Sequence, residues 1–270
     1  MYKILPILSL LILLFINQTM AQEVPEGVLA LQPGGYAFTE KTKDFSAFTD
    51  EGITVEFWFY LTDIPKDYYQ PWSLFYKRNE YSIIIRGKNI NRDDLDGTTH
   101  IIYRLHGIGS SASSGIGISP EAPPEKRILN RWIHVAYQIR GEKIVYDAVF
   151  LDGEIHGLNI PHHDKFQKAN SPLFIGGDTD HSSIDSIEGW IDEVRISRGW
   201  RYERKPITPK REFESDEKTI ALWHFDEPFG ATSWEDSSGN GHTLFAGGTT
   251  RVENKGKLVS TWGIIKLFDK

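Results

Sequence analysis

Three groups of residues in this sequence have side chains that could do chemistry. The first is the acid in GWIDEVRIS, residues 189–197. As a strand, this segment puts Trp190, Asp192, Val194 and Ile196 on one face and Ile191, Glu193, Arg195 and Ser197 on the other, so a carboxylate shares a face with core residues. Burying it alone is costly, and an Arg, backbone donors or a cation must meet it. The alternative is a bulge that swings Asp192 out to solvent. Glu193 and Arg195, two apart on the other face, read as a surface pair joined to each other or to a neighbouring strand. The second group is the turn from Asp236 through Ser237, Ser238 and Gly239 to Asn240 and Gly241, whose carboxylate, amide oxygen and carbonyls are hard oxygen ligands of the kind Ca²⁺ selects. The third is aromatic: Tyr68, Tyr69 and Trp72 in KDYYQPW could stack on the C–H face of a sugar, while Asp178, Asp180, His181 and Asp185 in GGDTDHSSIDS could bind its hydroxyl rim. Asp178 and Asp180 could instead hold a second metal. His162-His163-Asp164 reads as a solvated turn. Trp58, Trp132, Trp190 and Trp223 lie inside strands, where burial alone explains them.

Strands must position these groups. TVEFWFYL, residues 54–61, sets Val55, Phe57, Phe59 and Leu61 on one face, which is core, and Thr54, Glu56, Trp58 and Tyr60 on the other. Tyr81–Arg86 and Thr99–His106 follow, joined by the polar loop NINRDDLDG; GSSASSG, residues 109–115, reads as a flexible loop. Trp132–Arg140, Lys143–Leu151 and Glu154–Ile160 form a meander, since Gly141-Glu142 and Asp152-Gly153 supply turn residues that tolerate positive φ. Leu173–Gly176, Gly189–Ser197, Thr219–Phe225, Thr243–Ala246 and Leu258–Leu267 complete the set. No segment carries a helical stripe. Strands without covering helices bury their faces on each other, so the sequence predicts an all-β, two-sheet antiparallel sandwich.

Composition narrows the partners. The 270 residues carry 30 Lys and Arg against 37 Asp and Glu, a formal charge of −7, with no basic stripe to neutralise phosphates, which argues against nucleic acid. The absence of Cys forbids disulfides, thiolate metal sites and a Cys nucleophile. Lys3 precedes the apolar run Ile4–Ile16, then Asn17, Gln18, Thr19 and the small Ala21. This reads as a secretory signal cleaved after Ala21, because the run is well short of the ~20 residues that span a bilayer. Residues 22–270 then form one exported domain, secreted or on the exterior of the cell envelope, without a transmembrane segment.

Four segments carry a family resemblance: ITVEFWFY at 53–60, WIHVAYQI with FLDGE between 132 and 154, LFIGG with GWIDEVRIS between 173 and 197, and ALWHFDE with DSSGNGHTL between 221 and 244. Together they resemble the laminin-G-like branch of the concanavalin A-like jelly rolls, as found in many secreted bacterial proteins. The WHFDE and DSSGNG segment, which opens the domain in the commonest arrangement, here follows IDEVRIS after the linker RGWRYERKPITP. The chain is expected to return to the sandwich late. The resemblance also implies a structural calcium ion, for which Asp192 matches the family's acidic position, with Asp236, Asn240 and backbone carbonyls completing the shell.

Hydrolases of the laminarinase kind, which share this architecture, carry E-x-D-x-E along one strand. This chain has no such run; Glu212, Glu214, Asp216 and Glu217 have the wrong final spacing, and Glu56 is a lone acid on its strand. No G-x-S-x-G elbow, H-E-x-x-H helix or phosphate loop occurs. The expectation is a secreted non-catalytic recognition domain binding carbohydrate or a glycan-bearing surface. The alternatives are an adhesive domain that binds an extracellular or surface protein, and a divergent glycosidase or lyase.

Overall fold

The computed structural model describes residues 27–87, 98–107, 111–119, 121–158, 165–178, 185–228 and 230–248. The expected secretory signal, the loop at 89–97, the closing strand Leu258–Leu267, and His162, His163, Asp164, Asp180 and His181 lie outside them. In chain order the strands are β1 (Leu29–Leu31), β2 (Gly35–Phe38), β3 (Ile53–Leu61), β4 (Trp72–Lys77), β5 (Tyr81–Arg86), β6 (Thr99–His106), β7 (Ser111–Ile118), β8 (Trp132–Arg140), β9 (Tyr146–Leu151), β10 (Glu154–Leu158), β11 (Leu173–Ile175), β12 (Asp185–Ser186), β13 (Gly189–Arg198), β14 (Thr219–Trp223), β15 (Ser233–Trp234) and β16 (Leu244–Gly248).

They form two sheets. One has seven strands in the order β1-β13-β3-β8-β9-β10, with β14 also on β13; the other has nine in the order β15-β16-β2-β11-β4-β5-β6-β7, with β12 in a short parallel pairing to β4. Among the described residues all other pairings between these strands are antiparallel, and the architecture is the two-sheet sandwich of the concanavalin A-like jelly rolls. The alternating faces meet between the sheets: Val55, Phe57, Phe59 and Leu61 of β3 pack with Ile83 and Ile85 of β5, Ile101, Tyr103 and Leu105 of β6 and Val135, Tyr137 and Ile139 of β8. Phe57 stacks on Phe75 at 5.8 Å between centroids, joining the layers. Beyond the linker the chain re-enters both sheets, with β14 pairing β13 and β16 pairing β2.

Two expectations need correction. GSSASSG is no loop; Ser111–Ile118 is an edge strand pairing with β6 along its whole length, because ladder hydrogen bonds are made by backbone and serine costs them nothing. Trp72 opens a strand and does not sit in the preceding loop.

The second face of β3 is also buried. Residues 199–216 run across the outside of the seven-stranded sheet, where Phe213 packs with Trp58 and Leu222, and Trp200, Tyr202 and Ile207 pack on Ala136, Ala148 and Phe150. Polar groups fasten this strap: Trp58 Nε1 donates to the Lys210 carbonyl at 3.0 Å, and Gln138 exchanges hydrogen bonds with the Tyr202 backbone, at 2.8 and 3.1 Å.

Candidate functional site

Asp192 does not share a face with the core. It pairs with Trp58, and Trp190 pairs with Tyr60, both on the strap side of the sheet, while Ile191 points between the layers. The register then slips between Asp192 and Arg195, where Glu193 takes φ 54°, so that Val194 and Ile196 return to the core and Arg195 comes opposite Glu56. This is a β-bulge, which inserts one residue and re-aims its neighbours. It does not turn Asp192 to solvent: Asp192 is 0% exposed, and its Oδ1 accepts the Glu193 N–H at 2.9 Å. Glu193 and Arg195 are likewise no surface pair, since both are buried. Glu193 accepts from Phe213 N at 2.8 Å and from His224 Nδ1 at 2.9 Å, while Arg195 pairs with β3.

Glu56 is the hub of that strap-side cluster. Arg195 Nε and Nη2 approach its Oε1 at 2.9 and 2.8 Å, Arg201 Nε lies 3.7 Å from the same atom, the Tyr202 hydroxyl donates to Oε2, and His134 Nε2 stands 3.6 Å from Oε2. Burial alone would raise its pKa, but the His134, Arg195 and Tyr202 interactions outweigh burial and hold the carboxyl below its ordinary range. Glu56 and His134 are both 0% exposed. A carboxylate, an imidazole and a phenol in contact resemble catalytic machinery, yet the strap closes over them and leaves no surface for a substrate to reach.

Asp236 is spent on its own turn. Its Oδ1 accepts the amides of Leu222 and Ser238, both at about 3 Å, and its Oδ2 accepts that of His242 at 3.0 Å. Asn240 donates through Nδ2 to the carbonyls of Thr219 and Ile220 at 3.1 and 3.0 Å. These three N–H groups take three of the roughly four acceptor sites of the carboxylate, so Asp236 is held chiefly by its own turn. Among the described residues no group of three or more His, Asp or Glu could hold a metal ion.

The aromatic group divides. Trp72 pairs with Ile85 of β5 and packs against the interlayer core. Tyr68 and Tyr69 lie together on the outside, their rings edge to face at 5.5 Å, and Tyr69 is 58% exposed. The Arg86 guanidinium sits 4.4 Å from the Tyr68 ring centre, and the His100 ring meets Tyr68 edge-on at 6.4 Å. Asp178 is half-buried at the end of the segment after β11, and Asp185 pairs through its backbone with Trp72.

Tyr68, Arg86 and His100 belong to a larger feature that sequence reading missed. On the outer face of the nine-stranded sheet, seven residues from seven consecutive strands pair directly: Phe245 with Phe38, Phe38 with Phe174, Phe174 with Tyr76, Tyr76 with Ser82, Ser82 with Arg104, and Arg104 with Ser113. Six steps of about 4.8 Å make this row roughly 29 Å long. Tyr36 broadens its aromatic end, with its ring 5.7 Å from Phe174, and lies over Gly247, where a Cβ would come within 2.1 Å of it. At the other end His106 joins through Ser82 Oγ at 3.1 Å and the Tyr76 ring at 5.5 Å. Ile84 and Ile102 form a floor between this row and the Arg86–His100 pair. Phe245 is 38% exposed, while Tyr36, Phe38, Arg86, His100, Arg104 and His106 are half-buried. Phe245, Phe174, Ser82 and Arg104 fall within strands expected from the sequence, whereas Phe38, Tyr76 and Ser113 do not, and the sequence also lacked the register that aligns them.

A structure of a candidate carbohydrate binding protein from Bacteroides ovatus is similar at 15% identity and a TM-score of 0.48, covering 83% of this chain and 61% of that one. This chain thus spans about three fifths of that protein. A heptameric SAP-like pentraxin from Limulus polyphemus matches at 12% identity and a TM-score of 0.44, covering 84% of this chain and 96% of its own. Domain 4 of AbnA, a GH43 extracellular arabinanase from Geobacillus stearothermophilus solved with arabinotriose, matches at 18% identity and a TM-score of 0.35, covering 56% of this chain and 62% of that one. No curated protein sequence matches significantly. The family model described as the concanavalin A-like lectin/glucanases superfamily matches residues 34–202, well over half of the 270 residues. On that match and the two-sheet sandwich, the chain belongs to the concanavalin A-like lectin/glucanase superfamily.

Proposed function

We propose that this chain is a secreted, non-catalytic carbohydrate-recognition domain that binds along the outer face of its nine-stranded sheet. The observation that carries this reading is the register-aligned row from Phe245 to Arg104, in which aromatic rings give way to hydrogen-bonding and cationic side chains. Sugar rings present an apolar C–H face and a polar rim; Phe245 and the half-buried Phe38 and Arg104 offer both, while Phe174, Tyr76 and Ser82 between them are buried beneath the face. Support also comes from the opposite sheet, whose outer face is sealed by the strap and whose acid–imidazole–phenol cluster is inaccessible. One similar structure is named a carbohydrate binding protein and another, an arabinanase domain, was solved with arabinotriose; both names agree with the reading without carrying it. Export rests on residues 1–21 as a cleaved signal.

The test is retention on a panel of immobilised polysaccharides, with reducing ends measured in the same samples. Retention of the wild-type protein by at least one polysaccharide without release of sugar is the expected result. Reducing-end release would make the chain a hydrolase. Passage through every column while surface proteins are captured would favour an adhesive domain.

A further inference from the structure

Among the described residues, two guanidinium groups on the outer face of the nine-stranded sheet have no acidic partner. Arg86 and Arg104 flank the floor made by Ile84 of β5 and Ile102 of β6, and Arg86 pairs directly with His100. Among the described residues neither Arg forms an ion pair, and the Nε of each, with Nδ1 of His100, is buried without a hydrogen-bond partner. Three other buried or half-buried guanidinium groups are matched to acids, Arg131 to Asp152, Arg195 to Glu56 and Arg201 to Asp216, while Arg140 lies over the Trp200 ring. The nearest acid in sequence to Tyr68, Asp67, turns its Oδ1 to the Tyr69 amide at 2.6 Å. Across the β6 edge, β7 offers only Ser111, Ser113, Gly115 and Gly117 on this face, all exposed. Burial, and secondly the charge of Arg86, hold Arg104 below an ordinary guanidinium's range, and the same two causes lower His100 against a backbone contact to Thr98 that raises it. In a chain with net charge −7, this face gathers cations that repel one another.

We propose that the glycan recognised here is acidic, with its carboxylate or sulfate groups taken by Arg86 and Arg104 while its apolar face lies on Tyr68 and the half-buried Ile102. This inference rests on the carbohydrate-recognition reading and specifies its ligand class. The two cations lie four residues apart in strand register, about 13 Å along the strands. That spacing suits a polymer carrying acid groups at intervals better than one isolated anion. Guanidinium groups recognise carboxylate and sulfate oxygens through paired N–H donors, and partial burial strengthens each contact relative to bulk water.

The experiment compares polygalacturonate with its methyl ester, and a sulfated galactan with uncharged galactan, by calorimetry on the full chain. Each of R86Q and R104Q is expected to weaken the acidic ligand about tenfold or more, as loss of a charged hydrogen bond implies. R104K should retain part of that affinity, and thermal melts of each variant exclude misfolding as the cause. Preference for polygalacturonate over its ester assigns a carboxylate; preference for the sulfated galactan assigns a sulfate. Either supports the proposal. Equal binding of charged and uncharged forms, unchanged in R86Q and R104Q, overturns the acidic specificity and leaves carbohydrate recognition standing. Binding of polyglutamate as tightly as of the acidic polysaccharides overturns it too, since any polyanion would then do. Failure of all four polysaccharides to bind overturns both readings.

Discussion

Arg195 of β13 places both Nε and Nη2 against a single oxygen of Glu56 on β3, Oε1, at 2.9 and 2.8 Å, beneath a strap that excludes water. A carboxylate buried in this way is stable only while its partners remain. Replacing Glu56 with Ala leaves the guanidinium uncompensated, and a loss of about 3–5 kcal/mol is expected in chemical denaturation. Because the folded carboxyl titrates below its unfolded value, this contribution is present above about pH 4.3 and is lost as pH falls through the folded value. Glu56→Gln should therefore flatten the acid limb of the stability profile; an unchanged limb would remove Glu56 from the account.

Truncation after Ser197 removes β14, β15 and β16 and the strap that covers Trp58, Ala136 and Phe150. The fragment would expose those side chains and leave Glu56 open to water on its strap side. It is expected to lack a cooperative thermal transition, and a sharp melt by circular dichroism would contradict this.

The parts legible in the sequence were those governed by period. TVEFWFYL names its own core face, and Gly141 and Gly153, at φ 115° and 83°, mark the two turns of the meander. The strap was not legible because Trp200, Tyr202, Ile207 and Phe213 follow no period; each meets a different point on a sheet built from distant strands. The bulge at Glu193 broke the alternation on which the placement of Asp192 depended. Serines 111, 113 and 114 looked like a loop because side-chain type says little about an edge strand held by its backbone. Tyr68 and Tyr69 were identified from their own loop, but Arg86, Arg104 and Phe38 join the candidate face only through pairing between strands far apart in the chain.

His224 provides a second pH-dependent element. Its Nδ1 lies 2.9 and 3.0 Å from the two oxygens of the buried Glu193, whose hydrogen bond and charge, aided by Asp226 and Glu212, outweigh burial and raise the imidazole above 6.5. A raised folded value means that the stabilisation is complete below about pH 6.5 and is lost as pH rises through the folded midpoint. An NMR titration should place the His224 midpoint above 6.5, and His224→Gln should remove that segment of the stability profile. A midpoint at or below 6.5 would contradict the assignment.

Asp236 yields a prediction about metal. Three backbone amides already hold its carboxylate in the turn, so chelator should leave the melting temperature unchanged, whereas Asp236→Ala leaves the Leu222, Ser238 and His242 amides short of an acceptor. The substitution is expected to cost about 1–3 kcal/mol. A chelator-induced fall in melting temperature, reversed by added calcium, would restore an ion to the fold.

Trp72 and Tyr69, three residues apart, should respond in opposite ways. Trp72, half-buried, packs on the interlayer core at the start of β4, so Trp72→Ala should destabilise by about 1–3 kcal/mol. Tyr69 is mostly exposed and touches Tyr68, so Tyr69→Ala should leave the melting temperature within error while weakening glycan retention severalfold. Phe38→Ala, in the middle of the aromatic row, should weaken retention as well if the ligand runs the full length of the face. If Tyr69→Ala weakens retention and Phe38→Ala does not, the ligand is confined to the cationic end, and a short acidic oligosaccharide should bind as tightly as the polymer.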